Sequence, residues 1–316
     1  MKRHPSQQNR RTRRSGFSLV ELLVVIVIIG ILMSLILPAI SRVRYRAQVQ
    51  QISAEMTQLS NAIAKFESDF GVSPYSELVV SEDATGVYHW DSSPALQQTK
   101  TKLRRIWPQL SFNGQIDFNA DGVFTGDSGS DTTLTLTGSE ALVFFLAGVM
   151  SRDQNGNAVV DPAEVSIAPT WIGFSKNPVA PFITSGSNRH VSLFTFDPAR
   201  LKDNDSDGMM EYLDSFPGQT TPLLFVSSNN GQGYSPGMIF YVQGDGKTPW
   251  NKDSHQLISP GIDGALFDKP VSTPFRSIYS SETDLRLQRN YEVAADETDY
   301  EVDNVANFKP GSTLGE

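Results

Sequence analysis

The feature that most restricts this chain is one long apolar run close to its start. The run extends from Phe17 to Leu37 and is interrupted only by Ser18, Glu21, Gly30 and Ser34. A helix of this length, at ~1.5 Å rise per residue, spans roughly 31 Å, which is about the thickness of the hydrocarbon core of a bilayer. The run therefore predicts a membrane-spanning helix over about residues 17–38.

The segment before this run is strongly basic. It contains no acidic residue and six basic ones: Lys2, Arg3, Arg10, Arg11, Arg13 and Arg14. Basic residues next to a membrane span stay on the cytoplasmic side, so the remainder of the chain is predicted to lie outside. Removing these six charges from the net charge of −9 leaves −15 for residues 17–316. A surface this acidic repels the phosphate backbone of nucleic acids, so we predict no nucleic-acid binding. It attracts positively charged partners, including divalent cations.

Two simpler interpretations of the apolar run compete with a functional one. A secretory signal has an apolar stretch of only ~7–15 residues, and a cut after Ala39 would follow Leu37 and Pro38, which make a poor small-residue site. An uncleaved anchor is the second alternative, but it leaves Glu21 unexplained. A carboxylate costs ~2.5–3.5 kcal/mol near a bilayer centre and less near its edge, so we interpret Glu21 as functional.

The sequence Arg13–Leu23, RRSGFSLVELL, resembles the class III signal of type IV pilins and type II secretion pseudopilins. In that family a membrane aspartyl peptidase cuts after the glycine and methylates the new amine. The resemblance implies a leader over residues 1–16, a cut between Gly16 and Phe17, and a mature chain that begins with N-methyl-Phe17. It also implies that Glu21 of one subunit pairs with the amine of a neighbour in a filament.

Beyond Pro38, apolar residues recur at alternating spacings of three and four, which is typical of one face of a helix. They are Val49, Ile52, Met56, Leu59, Ile63, Phe66 and Phe70. Gly71 then predicts the helix end, so residues 17–70 are expected to form one long helix of ~80 Å. A coiled coil is an alternative, but the repeat stops after a short stretch, which favours packing on the chain's own head.

Residues 71–316 are predicted to form the head of an α+β pilin fold, in which the long helix packs on an antiparallel sheet with large inserted loops. Thr137–Glu140 has capping-box spacing and opens an apolar helix expected to end near Gly148. The strand candidates are Leu193–Phe196, Pro222–Ser227, Met238–Val242 and Gln256–Ile258. The last ~45 residues are polar and acidic and are expected to form surface coil.

Short segments of the head also resemble large bacterial relatives of the major pseudopilin. They read EALVFFLAG, GFSKNP, EYLD, LISPGIDG and DNVANF and begin at residues 140, 173, 211, 257 and 303. In that family the segment similar to LISPGIDG leads into a calcium loop, which makes Asp263 a calcium candidate. The residues that follow here, Ala265–Asp268, depart from the glycine-rich acidic run of that family.

One loop of the head has the ligand spacing of a calcium-binding EF-hand. Oxygen ligands fall at positions 1, 3, 5, 7, 9 and 12, with Gly208 at position 6 for the sharp turn. They are Asp203, Asp205, Asp207, the backbone carbonyl of Met209, Glu211 and Asp214. The chain has no cysteine, so long loops cannot be pinned by disulfides. Calcium is the cofactor that this spacing predicts; the alternative is a solvated acidic turn.

Two further loops match the same pattern in part. The first contains Asp153, Asn155, Asn157, Asp161 and Glu164, but Ala158 replaces the glycine. The second contains Asp117, Asn119 and Asp121 before Gly122, with Ser128 at the twelfth position. Both are weaker calcium candidates.

Patterns typical of enzymes fail on their chemistry. The Gly233–Gly237 segment matches the nucleophile elbow, but its oxyanion hole needs the N–H after the serine, and Pro236 has none. The Gly126–Gly129 segment resembles a serine-protease motif without the accompanying histidine motif. We therefore predict a structural subunit without catalytic residues. A binding subunit at a filament tip and a membrane-anchored calcium-binding protein that never polymerises are the alternatives.

Overall fold

The computed structural model describes residues 18–82, 89–122, 133–153, 163–164, 168–234, 238, 240–243, 248–264, 266, 288–290 and 304–314. The chain divides into two compact units, Met1–Ala47 and Gln48–Glu316. The first contains the apolar span, and the second contains all the sheets and the shorter helices.

The long helix α1 runs from Leu19 to Phe70, so the predicted continuous helix is confirmed over the described residues. It ends as expected, because Gly71 adopts a φ of 77° and its N–H donates to Glu67 O at 2.8 Å. The predicted apolar face is buried from Val49 to Phe66, and Phe70 is half-buried. The spacing of three and four thus identified the side of the helix that faces the core.

Two shorter helices follow, α2 from Pro94 to Ile106 and α3 from Gly138 to Ala147, with a 3-10 turn at Pro198–Arg200. The predicted helix after Thr137 is confirmed as α3. Its capping box forms as the spacing predicted, with the Thr137 N–H donating to Glu140 Oε2 at 2.9 Å, and Gly148 is its C-cap. All ten residues of α3 are buried. Our sequence analysis missed α2, although serine followed by proline at its start is a typical helix signal.

The strands are short. In chain order they are β1 Glu77–Ser81, β2 Thr133–Thr137, β3 Val149–Ser151, β4 Thr170–Ile172, β5 Leu201–Lys202, β6 Glu211–Tyr212, β7 Leu224–Ser227, β8 Phe240–Val242, β9 His255–Ser259, β10 Gln288–Asn290, β11 Val305–Ala306 and β12 Lys309–Thr313. Three of the four strand candidates correspond to β7, β8 and β9.

The largest sheet has four antiparallel strands in the order β12-β11-β9-β7. Phe225 pairs with Leu257 in its centre, and Val305 pairs with Ser259. Three antiparallel pairs (β1-β2, β3-β4 and β5-β6) and one parallel pair (β8-β10) surround it.

The second half of α1 packs on the four-stranded sheet. Gln50 Nε2 donates to Gly311 O at 2.5 Å, and the Gly311 N–H donates to Ser53 Oγ at 2.8 Å. Ser60 Oγ lies 3.1 Å from His255 Nε2 on β9. These contacts confirm the predicted α+β arrangement of a long helix on an antiparallel sheet.

Two expectations about the head were wrong. Leu193–Phe196 is not a strand: the N–H groups of Leu193 and Phe194 both donate to Leu146 O, at 2.8 and 3.3 Å. They satisfy a carbonyl that the end of α3 leaves free. The tail is not all surface coil either, because Val305 is fully buried and supplies β11 to the largest sheet. Its polar composition concealed three short strands, β10, β11 and β12.

Candidate functional site

The N-terminal candidate site begins where the described residues begin. Gly16 and Phe17, the predicted processing residues, lie outside them, and α1 starts two positions after Phe17. The Ser18 N–H donates to Glu21 Oε2 at 2.8 Å, and the Val20 N–H donates to Ser18 Oγ at 3.2 Å. These two bonds resemble a capping box, except that Ser18 Oγ accepts the N–H of Val20 and not that of Glu21.

Glu21 thus has a local role that our sequence analysis missed. Its carboxylate turns back to the start of α1, where the helix dipole favours negative charge. The Ser-x-x-Glu spacing from Ser18 to Glu21 is visible in the sequence. Our sequence analysis assigned Glu21 only to pairing with the amine of a neighbouring subunit. The structure therefore places the single acid of the apolar run at the helix terminus and not along its side.

The apolar run that follows is exposed along its length. Large side chains from Leu19 to Leu37 are 46–81% exposed, and they point to all sides of the helix. Among the described residues, α1 is the helix that is long and apolar enough to cross a membrane. Within the unit Met1–Ala47, the described residues do not bury these side chains.

The second candidate site is the acidic loop Asp203–Gly208, which connects β5 to β6. The Asp203 carboxylate accepts hydrogen bonds from two backbone N–H groups, that of Ser206 at 2.7 Å and that of Gly208 at 3.1 Å. The tight turn requires left-handed backbone at Ser206 (φ 65°) and Gly208 (φ 89°). A side chain at Gly208 would also lie 2.9 Å from Asn119. The glycine predicted for the sharp turn is therefore required by conformation and by space.

Three carboxylates from two elements converge beside this loop. Glu140, in the first turn of α3, brings a carboxylate oxygen within 4.8 Å of those of Asp205 and Asp207. Among the described residues this is the group of acids close enough to share one metal ion. Sequence analysis assigned Glu140 to helix capping alone, and its Oε2 does accept the Thr137 N–H. Glu140 therefore both caps α3 and borders the acidic loop.

The electrostatics of the cluster oppose full ionisation. Burial, together with the nearby Asp207 and Glu211, raises the pKa of Glu140 to about 9. Burial likewise raises the pKa of Glu211 to about 7 and that of Asp207 to about 6, with Asp205 and Asp203 adding to both shifts. At neutral pH and without a cation, Glu140 therefore keeps its proton and Glu211 is about half protonated, whereas Asp207 is mostly ionised. A cation bound beside these carboxylates would favour their ionised forms.

The predicted twelfth ligand, Asp214, is engaged elsewhere, which corrects that position of the loop. Its carboxylate accepts hydrogen bonds from Ser259 Oγ, from the Phe216 N–H at 2.9 Å and from Gln219 Nε2 at 3.2 Å. Asp214 thereby ties the segment after β6 to the end of β9. Met209 is buried, and its N–H donates to Asp207 Oδ1 at 2.8 Å.

The loop Asp117–Gly122 packs directly against the acidic loop. Asp117 accepts the N–H groups of Asp121 and Gly122 at 3.1 and 3.0 Å. Asn119 donates to Asp207 O at 3.0 Å, which joins the two loops. Glu82 is a further acid at this loop, and our sequence analysis missed it. Its Oε1 accepts the Phe118 N–H at 2.8 Å. Burial raises the pKa of Glu82 to about 8, with Asp117 and Asp121 contributing.

The remaining metal candidates are described only in part. Asp153 and Glu164 are described, whereas Asn155, Asn157 and Asp161 lie outside the described residues. Asp263 is exposed in the turn that follows β9.

Two comparisons with known proteins found similarity to parts of this chain. Residues 11–37 match the family model described as the prokaryotic N-terminal methylation motif. The chain is also 37% identical over 68 residues to type II secretion system core protein G of Aeromonas hydrophila. That similarity covers 22% of this chain and 48% of the relative, so the chain spans about half the length of the curated relative it matches. No solved structure matches the chain.

Proposed function

We propose that the protein is a structural subunit of a type II secretion pseudopilus or of a type IV pilus-like filament. The support is the match of residues 11–37 to the prokaryotic N-terminal methylation motif and the 37% identity over 68 residues to type II secretion system core protein G. Its partners are copies of itself or sister pilins, a prepilin peptidase and the inner-membrane assembly machinery. The precursor crosses the inner membrane once with its N-terminus in the cytoplasm, and the head lies in the periplasm or outside the cell.

The observation that carries this proposal is the exposed apolar segment of α1 with one acid at its start. Lipid covers such a segment in the membrane, and the same segments of neighbouring subunits cover it in a filament. The Glu21 carboxylate accepts the Ser18 N–H at the start of the helix, and in a filament we expect it to pair with the Phe17 amine of a neighbouring subunit. A charge that needs a partner on another chain favours assembled subunits over dispersed ones.

Mass spectrometry of protein extracted from membranes tests the processing step. We expect an N-terminal N-methyl-Phe17 peptide and no leader peptide in mature material. Gly16→Leu should block cleavage, because a bulky side chain replaces hydrogen at the junction; Gly16→Ala is the matched control and should be processed. A mature protein that retains Met1–Gly16, or that begins near Ile40, would contradict the proposal. A processed chain absent from filaments would support the membrane-anchored alternative.

We further propose that Glu140, Asp205 and Asp207 bind calcium, with Asp203 and Glu211 beside them. The support is the convergence of oxygen ligands, which calcium prefers, in a cluster whose carboxylates repel one another without a cation. Glu140 takes the place that the loop spacing had assigned to Asp214. Magnesium should bind less well if the site supplies about seven oxygens, because Mg²⁺ favours six ligands and retains its waters.

Calorimetric titration and thermal melts of the full chain in detergent test this site. Calcium at a hundredfold excess over its Kd should stabilise the head by ~2.7 kcal/mol, a shift of a few degrees. Asp203→Ala and Asp207→Ala should each abolish the shift. The metal-free melting temperature should stay equal or rise in Asp207→Ala, and it should fall in Asp203→Ala because the Ser206 and Gly208 N–H groups lose their acceptor. Asp263→Ala is the control and should retain the shift. Loss of the shift only in the control would move the site to the turn after β9.

A further inference from the structure

A half-buried ion pair attaches the middle of α1 to the β5-β6 hairpin. Arg200 Nη1 donates to Glu55 Oε2 at 2.9 Å, and Nη2 donates to Glu55 Oε1. The Tyr212 hydroxyl donates to the same Oε1 at 2.5 Å. The Glu55 and Arg200 side chains are only 15% and 20% exposed, and the guanidinium lies 4.4 Å from the centre of the Tyr212 ring. We call these three side chains the Glu55 clamp.

The clamp lies at one end of the hairpin that carries the acidic loop at its other end. Arg200 immediately precedes β5, and Tyr212 is the last residue of β6. The hairpin ladder has two residue pairs, Leu201 with Tyr212 and Lys202 with Glu211. Every residue of the clamp outside α1 is thus within a few positions of Asp203 or Glu211, and the hairpin connects the two sites directly.

A second connection runs through α3. The Tyr212 N–H donates to Ser139 Oγ at 2.7 Å, and Ser139 Oγ donates to Tyr212 O at 3.3 Å. Ser139 precedes Glu140, which borders the acidic loop. A cation between Glu140 and the loop would therefore draw together the two elements that hold Tyr212.

The energetics make the clamp dependent on the hairpin. A two-residue ladder has little stability of its own, and repulsion among the loop carboxylates strains it further when no cation is present. If the hairpin opens, the half-buried Glu55 loses both Arg200 and Tyr212, which is unfavourable for a carboxylate partly removed from water. We propose that cation binding at the acidic loop strengthens the Glu55 clamp and so controls how firmly α1 is held by the head. This inference depends on the calcium site proposed above.

Hydrogen-deuterium exchange of the full chain in nanodiscs, with calcium or with a chelator, tests the coupling. In the wild type, chelation should speed exchange of α1 peptides around Glu55 by about tenfold, the effect of losing one charge-assisted hydrogen bond. Peptides that cover residues 201–213 should also exchange faster. Glu55→Gln should keep the calcium effect in 201–213 and lose it around position 55. Glu67→Gln, an exposed acid on the same helix, is the matched control and should behave as the wild type.

The possible results separate the two proposals. No calcium effect at residues 201–213 in the wild type would contradict the calcium site itself. A calcium effect at 201–213 without one around Glu55 would overturn the coupling and leave the calcium site intact. Tyr212→Phe removes one hydroxyl and keeps the ring; it should reduce the coupling around Glu55 by less than Glu55→Gln. An effect in Glu55→Gln equal to that in the wild type would also refute the clamp.

Discussion

The two halves of α1 belong to one helix but have opposite environments. In the first half, Val27 is 51% exposed and Leu35 70% exposed, and apolar side chains point to every side. In the second half, Leu59 and Phe66 are fully buried, and polar side chains occupy the opposite face. The difference follows from the spacing of apolar residues in the sequence. A helix that is apolar on all sides needs an apolar environment all around it, whereas a helix with one apolar face needs one surface to pack against.

The comparison shows that the two halves derive their stability from different sources. The second half is stabilised by the head of its own chain, with Phe66 packed 5.3 Å from Phe145 between ring centres. The first half is exposed along its length, and under the proposed function lipid or other subunits would cover it. Substitutions in the first half should therefore change assembly, and substitutions in the second half should change the stability of the head.

The largest expected effect is the loss of assembly in Glu21→Val. The substitution removes the acid from the apolar run, so insertion into the membrane should be equal to or better than that of the wild type. Incorporation into filaments should fall to near background, because the partner of the neighbouring Phe17 amine is lost. Immunoblots of sheared filaments against membrane fractions measure both quantities. Incorporation equal to that of the wild type would show that Glu21 acts only as the helix cap with Ser18.

A smaller but measurable effect is expected from Phe66→Ala. Phe66 is fully buried and contacts Phe70 and Phe145, with ring centres at 4.4 and 5.3 Å. Removing such a ring costs ~3–5 kcal/mol. Val27→Ala is the matched control from the first half and should change the free energy of unfolding of the head by less than ~0.5 kcal/mol. Denaturant unfolding in detergent measures both; equal effects would contradict the division of α1 into two environments.

The smallest expected effect concerns pH and the contact of α1 with β9. Burial lowers the pKa of His255 from its ordinary 6.5 to about 4. The unfolded chain therefore binds a proton below pH 6.5 that the folded chain excludes, so this residue removes stability as the pH falls from 6.5 to 4. Between pH 7 and pH 5 the loss is ~2 kcal/mol.

The His255→Gln variant isolates that contribution, because glutamine keeps a group that can bond Ser60. The raised pKa values of Glu140 and Glu211 act in the opposite direction, since their folded forms bind more protons than the unfolded chain. The useful quantity is therefore the difference in unfolding free energy between the wild type and the variant at each pH. That difference should move in favour of the variant by ~2 kcal/mol from pH 7 to pH 5. A constant difference would show that His255 titrates normally.

What the sequence determined by itself is local. The apolar run, the spacing of three and four that continues to Phe66, and the capping box at Thr137–Glu140 all depend on residues within a few positions of one another. Helical geometry converts such spacing directly into a face or a cap. The motif at Arg13–Leu23 is also local, so it could be identified from the sequence alone. The strand pairing of the head could not, because it joins distant positions.

What the tertiary structure decided depends on contacts between distant positions. Gln50 and Gly311 are 261 positions apart, and Ser139 and Tyr212 are 73 apart; no local period links such pairs. For that reason the sequence could not show that Glu140 joins the acidic loop or that Asp214 leaves it. It also could not show that Val305 completes the largest sheet, because burial of a two-residue strand is set by its neighbours across the sheet and not by its own composition.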